Sequence, residues 1–454
     1  MSYSALAKHV IYPISQIYTR NDTLKNFRKI EKTQWFSVDK IERIQWRKLK
    51  HLLKHAFNTV PFYHRIFTKL NMTPKDITTP DNFRKLPLLS KEEIRNNYSH
   101  IVSLDYTTRD LIPNSTGGST GVNLNFFNDG KTTGNRRAVV LRNDRWAGFE
   151  IGDKNARLWG SRFDISLQDN LKSKIYNRLF RTILLSSYDL SHKNMMIYAK
   201  KLFHFKPKVI IAYPSPLYHF AEFLKENGIR GINPKSIISS AEVLYKHQRE
   251  LIESVFQCKV FNRYGCREFA AIAQECSQHL GMHINSEHVY VECLQGDGEP
   301  TSHGERGELV VTDLDNYGMP FIRYRIDDVG VLSERKCNCG RGLSILEKIE
   351  GRAFDIVIGT NGRAVGGTFW TLLLRTAIEG IKQFQVVQES LSELDIRIVA
   401  EESFEERRIS TLVDKIREYL GKDMKITFQV VDKIPLTKSG KSRFVVSKIV
   451  HSLA

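Results

Sequence analysis

The period of the apolar residues changes along the chain, and each change marks a different kind of element. From Ile41 to Ala56 the positions Ile41, Ile44, Leu49, Leu52, Leu53 and Ala56 follow helical spacing with Arg and Lys between them, which predicts an amphipathic helix packed on a larger body. The following NTVPFYHRIF has a proline break and then an aromatic cluster expected to dock on the same body. Between residues 135 and 350 short β-rich apolar runs alternate with helical patterns: PKVIIAYP, SPLYHFAEFLKENG, KSIISSAEVL, YKHQRELIESVF and CKVFNRYG. That alternation predicts an α/β sheet.

After Gly351 the pattern restarts on a smaller scale, with strands at FDIVIG, FQVVQE, LDIRIVA and KITFQVV and helices near TFWTLLLRTAIEG and EERRISTLVDKIREYLG. A chain of 454 residues exceeds one ordinary core, so more than one domain is expected. The expected fold class is α/β: a large N-terminal domain of mixed β-sheets and helices, plus a small mobile α+β C-terminal domain. The boundaries follow the pattern: residues 1–110 a helical region packing on the large domain, 111–351 the core, and 352–454 the small lid.

Composition narrows the setting. An apolar fraction of 41% suits a globular protein, and the sequence has neither a long uncharged apolar run nor a signal peptide at MSYSALAKHVIYPISQIYTR. A cytoplasmic location is expected, and there the six cysteines serve metal binding or burial rather than disulfides. The formal charge of +18 favours anionic partners. Residues 1 to 60 carry twelve Lys or Arg against four acids, yet acids interrupt the basic residues elsewhere and no nucleic-acid motif is present. A solvated basic helix face is the plain reading; peripheral contact with an acidic inner membrane surface is the specific one.

Residues 114 to 121 read NSTGGSTG. Glycines let backbone N–H groups approach a phosphate and hydroxyls add donors, but the stretch lacks the Gly-Lys-Ser/Thr ending of a Walker loop, and by itself a flexible turn fits as well. Four distant segments accompany it in order: FNRYGCREFA with Tyr264, Gly265 and Glu268; IRYRIDDVG with Asp328; IEGRAF with Gly351 and Arg352; and IPLTKSGKSRF with Gly440 and Lys441.

This ordered set resembles the adenylate-forming enzymes, which activate carboxylic acids with ATP. VPFYHRIF, IAYPSPLYHFAEFL, SAEVL and MPFIRYR make the chain most similar to the phenylacetate-CoA ligase-like branch, including members found in capsule and other surface polysaccharide loci. The resemblance implies that Ser119, Thr120 and Gly121, with Thr116, Gly117 and Gly118, close on the β and γ phosphates. It places Tyr264, beside Gly265, on adenine, Glu268 on magnesium, Asp328 on the ribose hydroxyls, and Ser240, Ala241, Glu242 and Arg352 around the nucleotide. Glu268 offers the hard oxygen that magnesium takes. Lys441 is implied to bridge the carboxylate and the α-phosphate, where a cation offsets repulsion between two anionic reactants. Tyr213, Pro214, Ser215, Phe269, Ala270 and Ala271 are implied as neighbours of the acid.

Two departures stand out. Val122 and Asn123 replace the usual proline and basic residue after the phosphate loop, and Phe354 stands where many members carry the first of two acids beside the hinge. The latter bears on the second half-reaction more than on adenylation.

QECSQHLGMHI and RKCNCGRG supply Cys276, His279 or His283, Cys337 and Cys339. Three thiolates and one imidazole suit a closed, structural zinc site. The resemblance favours His283, which stands in GMHI where the branch carries Gly-Leu-His, with His279 as the substitute; buried free thiols are the alternative. Cys258, Cys266 and Cys293 read as small core residues.

The expected activity is formation of an acyl-adenylate from ATP and a carboxylic acid, followed by transfer to coenzyme A. The competing acceptor is an amine or a sugar in surface-polysaccharide assembly. A non-catalytic protein that binds polyanions or membranes is the alternative of another class.

Overall fold

The computed structural model describes residues 3–18, 21–116, 124–159, 171–187, 190–352, 357–365, 369–370, 373–374, 380–401, 404–435 and 443–449. They fall into two compact units. The first comprises 1–292, 310–326 and 332–347, and the second 293–309, 327–331 and 348–454.

The first unit opens with helices. Val38–Thr59 starts after an extended Ser37, carries Asp39 in its first turn, where the helix dipole favours an acid, and buries Ile41, Leu49, Leu52, Leu53 and Ala56, with Ile44 half-buried. Each fully buried leucine or isoleucine contributes about 1.5–3 kcal/mol. Pro61 ends no fold element; it begins the next helix, Pro61–Lys69, at a position where its missing N–H costs nothing, and Phe62, Tyr63 and Phe67 are buried there.

A hairpin follows, β1 (Leu111–Ser115) antiparallel to β2 (Asn125–Asp129). It leads into the helix Gly130–Trp146, capped by the Asp129 side chain, which accepts from Thr132 N at 2.7 Å.

Eleven further strands are β3 (Asn155–Trp159), β4 (Thr182–Ser186), β5 (Val209–Ala212), β6 (Ser236–Ser240), β7 (Lys259–Cys266), β8 (Ala270–Glu275), β9 (Met282–Ile284), β10 (Val289–Leu294), β11 (Arg306–Asp313), β12 (Tyr324–Ser333) and β13 (Ile345–Arg352). They form an eleven-stranded sheet in the order β10-β11-β12-β13-β9-β8-β7-β6-β5-β3-β4. From β7 to β4 all pairings are parallel, whereas β7–β8, β8–β9 and β9–β13 are antiparallel. Parallel strands buried on both faces read as unbroken apolar runs, which is why VIIA in β5 is buried at all four positions. Helices Pro214–Glu226 and Lys246–Phe256 cross over between them, and Leu217, Phe220, Phe223, Ile252 and Phe256 pack with Ile210, Ile237 and Val260 into one core.

The second unit contains β14 (Val357–Ile358), β15 (Ala364–Val365), β16 (Ile381–Ser390), β17 (Glu393–Ala400), β18 (Lys425–Val430) and β19 (Val445–Ser447). The last four form a sheet ordered β18-β17-β16-β19. Leu412, Ile416 and Leu420, spaced four apart on the helix Ile409–Leu420, pack on Phe384, Val386, Ile396 and Ile398.

Candidate functional site

Strand register brings three of the sequence-identified segments to one edge of the large sheet. Ala212 of β5 pairs with Ser239 of β6, and Ser240 pairs with Arg263 of β7. Tyr213, Pro214 and Ser215 therefore leave the carboxyl end of β5 beside Ser240, Ala241 and Glu242 at the end of β6. Tyr264 and Gly265 lie on the next strand. The carboxyl ends of parallel strands are where open α/β sheets bind ligands.

The edge is built from constrained backbone. Ala241 holds φ of +72°, and Ala270 +58°, a region that side chains with a Cβ seldom occupy. A bulge falls between Tyr264 and Gly265, and a Cβ on Gly265 would lie 2.0 Å from the Ala270 carbonyl oxygen. Only glycine passes here. Tyr264 is half-buried. Glu242 Oε2 accepts the Ser215 N–H at 3.0 Å, neutralising a free donor in the first turn of Pro214–Glu226. Ser215 Oγ is buried with no partner among the described residues, and the Tyr213 ring packs 4.2 Å from that of Trp159.

Glu268 occupies the turn between β7 and β8 and is 7% exposed. Tyr324 Oη donates to its Oε1 at 3.0 Å. Its backbone carbonyl accepts from Arg136 Nη2, and the same guanidinium donates to Asp313 Oδ2 at 2.7 Å and Asn128 Oδ1 at 2.7 Å. The next carbonyl, Phe269 O, lies 2.9 Å from His288 Nε2, whose other nitrogen lies 2.7 Å from Asp315 Oδ2. Lys48 Nζ contacts Asp315 Oδ1 and donates to Glu287 O at 2.6 Å. Burial alone would raise the Asp315 carboxyl, but Lys48 and His288 hold it down at about 2. His288, Asp313 and Asp315 stand close enough to hold a metal ion. Their donor atoms are engaged by Lys48, Arg136 and Phe269 O, so the cluster is a brace for the 268–269 backbone rather than a cation site.

Arg136, His288 and Asp313 carry no motif signal; each acts through a contact more than a hundred residues distant or through a buried network. Tyr324 lies inside the quoted MPFIRYR, but nothing in that string identifies the partner of its hydroxyl.

Thr116 pairs with Leu124: its N–H donates to Leu124 O and its Oγ1 accepts from Leu124 N, both at 2.9 Å. Gly117, Gly118, Ser119, Thr120 and Gly121, with Val122 and Asn123, lie outside the described residues, as do Phe354, Gly440 and Lys441. Asp328 is half-buried on β12, in a stretch that belongs to the second unit. Arg352 ends β13, also in the second unit.

A separate cluster sits in the first unit. The ligand atoms of Cys276, His283, Cys337 and Cys339 all lie within 4.8 Å of one another. Cys276 Sγ is 3.6 Å from Cys337 Sγ, and Cys339 Sγ is 3.2 Å from His283 Nε2. Zinc–sulfur and zinc–nitrogen bonds of about 2.3 and 2.0 Å require separations of this size between tetrahedral ligands, so the residues fit zinc. His283 Nδ1 faces Leu343 O at 3.4 Å, which leaves Nε2 toward the thiols, and burial lowers its pKa to about 4, so the ring is neutral as a ligand must be. His279 turns to Glu275 Oε2 at 3.0 Å instead. Burial raises the Cys276 thiol to about 12; Cys339, though burial opposes it, is lowered by the backbone and guanidinium of Arg341.

Comparison with known proteins adds a family match, three relatives and a solved structure. Residues 357–448 match a family described as the CapK C-terminal domain. The chain is 26% identical to Protein CapK of Staphylococcus aureus, with 89% of each chain covered, and 25% identical to the phenylacetate-coenzyme A ligase of Thermus thermophilus, covering 90% of this chain and 96% of that one. The Escherichia coli phenylacetate-coenzyme A ligase is 28% identical over 73% of this chain and 75% of its own length. Among solved structures, 2-hydroxyisobutyryl-CoA ligase in the postadenylation state, bound to R3-HIB-AMP, superposes with a TM-score of 0.72 at 19% identity, with 90% of each chain covered. That likeness speaks for the fold.

Proposed function

We propose that this chain, which belongs to the AMP-forming, adenylate-forming ligases and within them to the phenylacetate-CoA ligase-like branch related to CapK, joins a carboxylic acid to coenzyme A by way of an acyl-adenylate. A carboxylate oxygen attacks the α-phosphorus of ATP and the bond to the β-phosphate oxygen breaks, releasing pyrophosphate. The thiolate of coenzyme A then attacks the acyl carbon, and AMP leaves.

The observation that carries this reading is the buried Glu268 in the turn after Tyr264 and Gly265, its carboxylate bonded to Tyr324 and its main-chain carbonyl to Arg136. Glu268 would hold magnesium, which when bound offsets triphosphate charge. Tyr264 would stack on adenine, with Ser240, Ala241 and Glu242 along its edge and Asp328 on the ribose. Thr116 and the loop through Gly121 would wrap the phosphates, and Arg352 would support the nucleotide. Lys441 would reach the carboxylate and α-phosphate. Tyr213, Pro214, Phe269 and Ala270 would neighbour the acid, with Ser215 Oγ as a buried polar atom that has no partner among the described residues. Cys276, His283, Cys337 and Cys339 would hold a structural zinc that ties the chain after β8 to the chain before β13.

The alternative acceptor rests on the resemblance of the sequence to members found in surface polysaccharide loci. The activated acyl group would then pass to an amine or sugar in surface-polysaccharide assembly.

The deciding experiment is exchange of labelled pyrophosphate into ATP across a panel of carboxylic acids, followed by product analysis with coenzyme A. Acid-dependent exchange and a thioester are expected. Absence of exchange with every acid would overturn adenylation, while exchange with persistent acyl-adenylate and no thioester would select another acceptor.

A further inference from the structure

The helical stretch 3–18 is apolar on two faces. One face packs on the body: Ala7 is fully buried, and Tyr12 and Ile11 join Ile151 and Phe180 in a small core cluster. The other face carries Tyr3, Leu6, Val10, Ile14 and Ile17, at steps of three and four residues, with exposures of 40%, 38%, 40%, 60% and 78%. A second helix, Leu171–Leu179, extends the patch with Ile175, Tyr176 and Leu179, which are 51%, 52% and 37% exposed. The two helices meet directly, since Tyr3 Oη donates to Leu179 O at 3.0 Å and the Tyr12 and Phe180 rings lie edge to face at 5.6 Å.

Single exposed apolar side chains are ordinary; eight on two touching helices form a surface that water covers poorly. The rim decides what covers it. Neither helix contains an Asp or Glu, and the cations Lys8, Lys174, Arg178 and Arg181 stand on or beside them. Arg181 lies 5.3 Å over the Tyr3 ring, and Lys174 and Arg178 are exposed. Lys8 pairs with Glu150, which Arg145 also contacts. No helix among the described residues is long and apolar enough to cross a membrane.

We propose that this two-helix face seats on an anionic lipid bilayer, with Ile14, Ile17, Ile175 and Tyr176 entering the interface and Lys174 and Arg178 meeting the headgroups. An apolar face with a cationic rim matches an anionic interface in both respects. A second copy of this chain matches it in only one, because a symmetric pairing sets like charges against each other.

The test is sedimentation of the whole chain with phosphatidylglycerol/phosphatidylcholine vesicles and with phosphatidylcholine vesicles, at about 0.1 M and about 1 M salt. Binding to the anionic vesicles that weakens in high salt is expected. The double variant Ile14→Glu/Ile17→Glu should lower the partition coefficient at least roughly tenfold. Lys174→Glu/Arg178→Glu should lower it on anionic vesicles without affecting the weak neutral binding, and both variants should keep the wild-type Tm because the altered side chains are exposed. No sedimentation with anionic vesicles, or equal partition of the wild type and both variants, overturns the proposal. So does a dimer, seen by light scattering, that the Ile14/Ile17 variant dissolves while vesicles bind neither form. The assay needs no turnover, so its outcome is independent of the ligase reading.

Discussion

Tyr324 donates its hydroxyl proton to Glu268 Oε1 across 3.0 Å, and both residues are buried. The carboxylate is thereby aimed by a residue 56 positions away. Removing one hydrogen bond to a buried charged group costs about 1.5–3 kcal/mol. Tyr324→Phe should therefore lower pyrophosphate exchange by about one to two orders of magnitude and raise the magnesium concentration at half-maximal rate. A magnesium titration of exchange checks this; a fall in rate with an unchanged magnesium midpoint would assign Tyr324 to packing alone.

Gly265 cannot carry a side chain without moving Ala270. Gly265→Ala is expected to cost about 1–3 kcal/mol through forced backbone displacement. It should lose ATP binding disproportionately, because the displaced turn carries Glu268. Urea denaturation and ATP calorimetry separate the two effects.

Elemental analysis should find about one zinc per chain. His283→Gln should lose it and His279→Gln should keep it, since His279 is turned to Glu275. Intact folding with far less than one equivalent of zinc in the wild type would reject the site.

The Asp315 carboxyl, held at about 2 against an ordinary 3.8, is depressed in the folded protein. Its stabilisation is fully present above the ordinary value and is lost as pH falls through 3.8 toward 2. At neutral pH that amounts to about 2 kcal/mol. Asp315→Asn should be less stable than the wild type at pH 6 by about this much or more, and the gap between their urea midpoints should narrow as the pH is lowered below about 4.

Lys441→Ala should reduce acid-dependent pyrophosphate exchange by at least about a hundredfold, the scale of removing one group that stabilises transition-state charge. Tm should stay unchanged. An equal loss of Tm and activity would make the residue structural.

Much of this architecture is legible along the chain. VIIA and SIISS announce buried parallel strands because both faces of the sheet are covered, and the four-residue step of Leu412, Ile416 and Leu420 announces a helix with one face inward. Tyr264, Gly265 and Glu268 are visible because they lie within five residues of one another. Arg136, His288, Asp313 and Lys48 are not visible, because a bond from Arg136 to the Glu268 carbonyl links elements 132 residues apart and uses a main-chain atom that every residue possesses.

By itself the sequence determined the element types, the order of the nucleotide motifs and the set of possible zinc ligands, since these depend on local periodicity and residue chemistry. Only the tertiary structure decided which histidine turns toward the thiols, which network holds Glu268, and which apolar face of residues 3–18 is left uncovered. The physical reason is common to all three. Hydrogen-bond partners and burial are properties of surfaces brought together by strand register and helix packing, and periodicity states that a face is apolar without stating what will cover it.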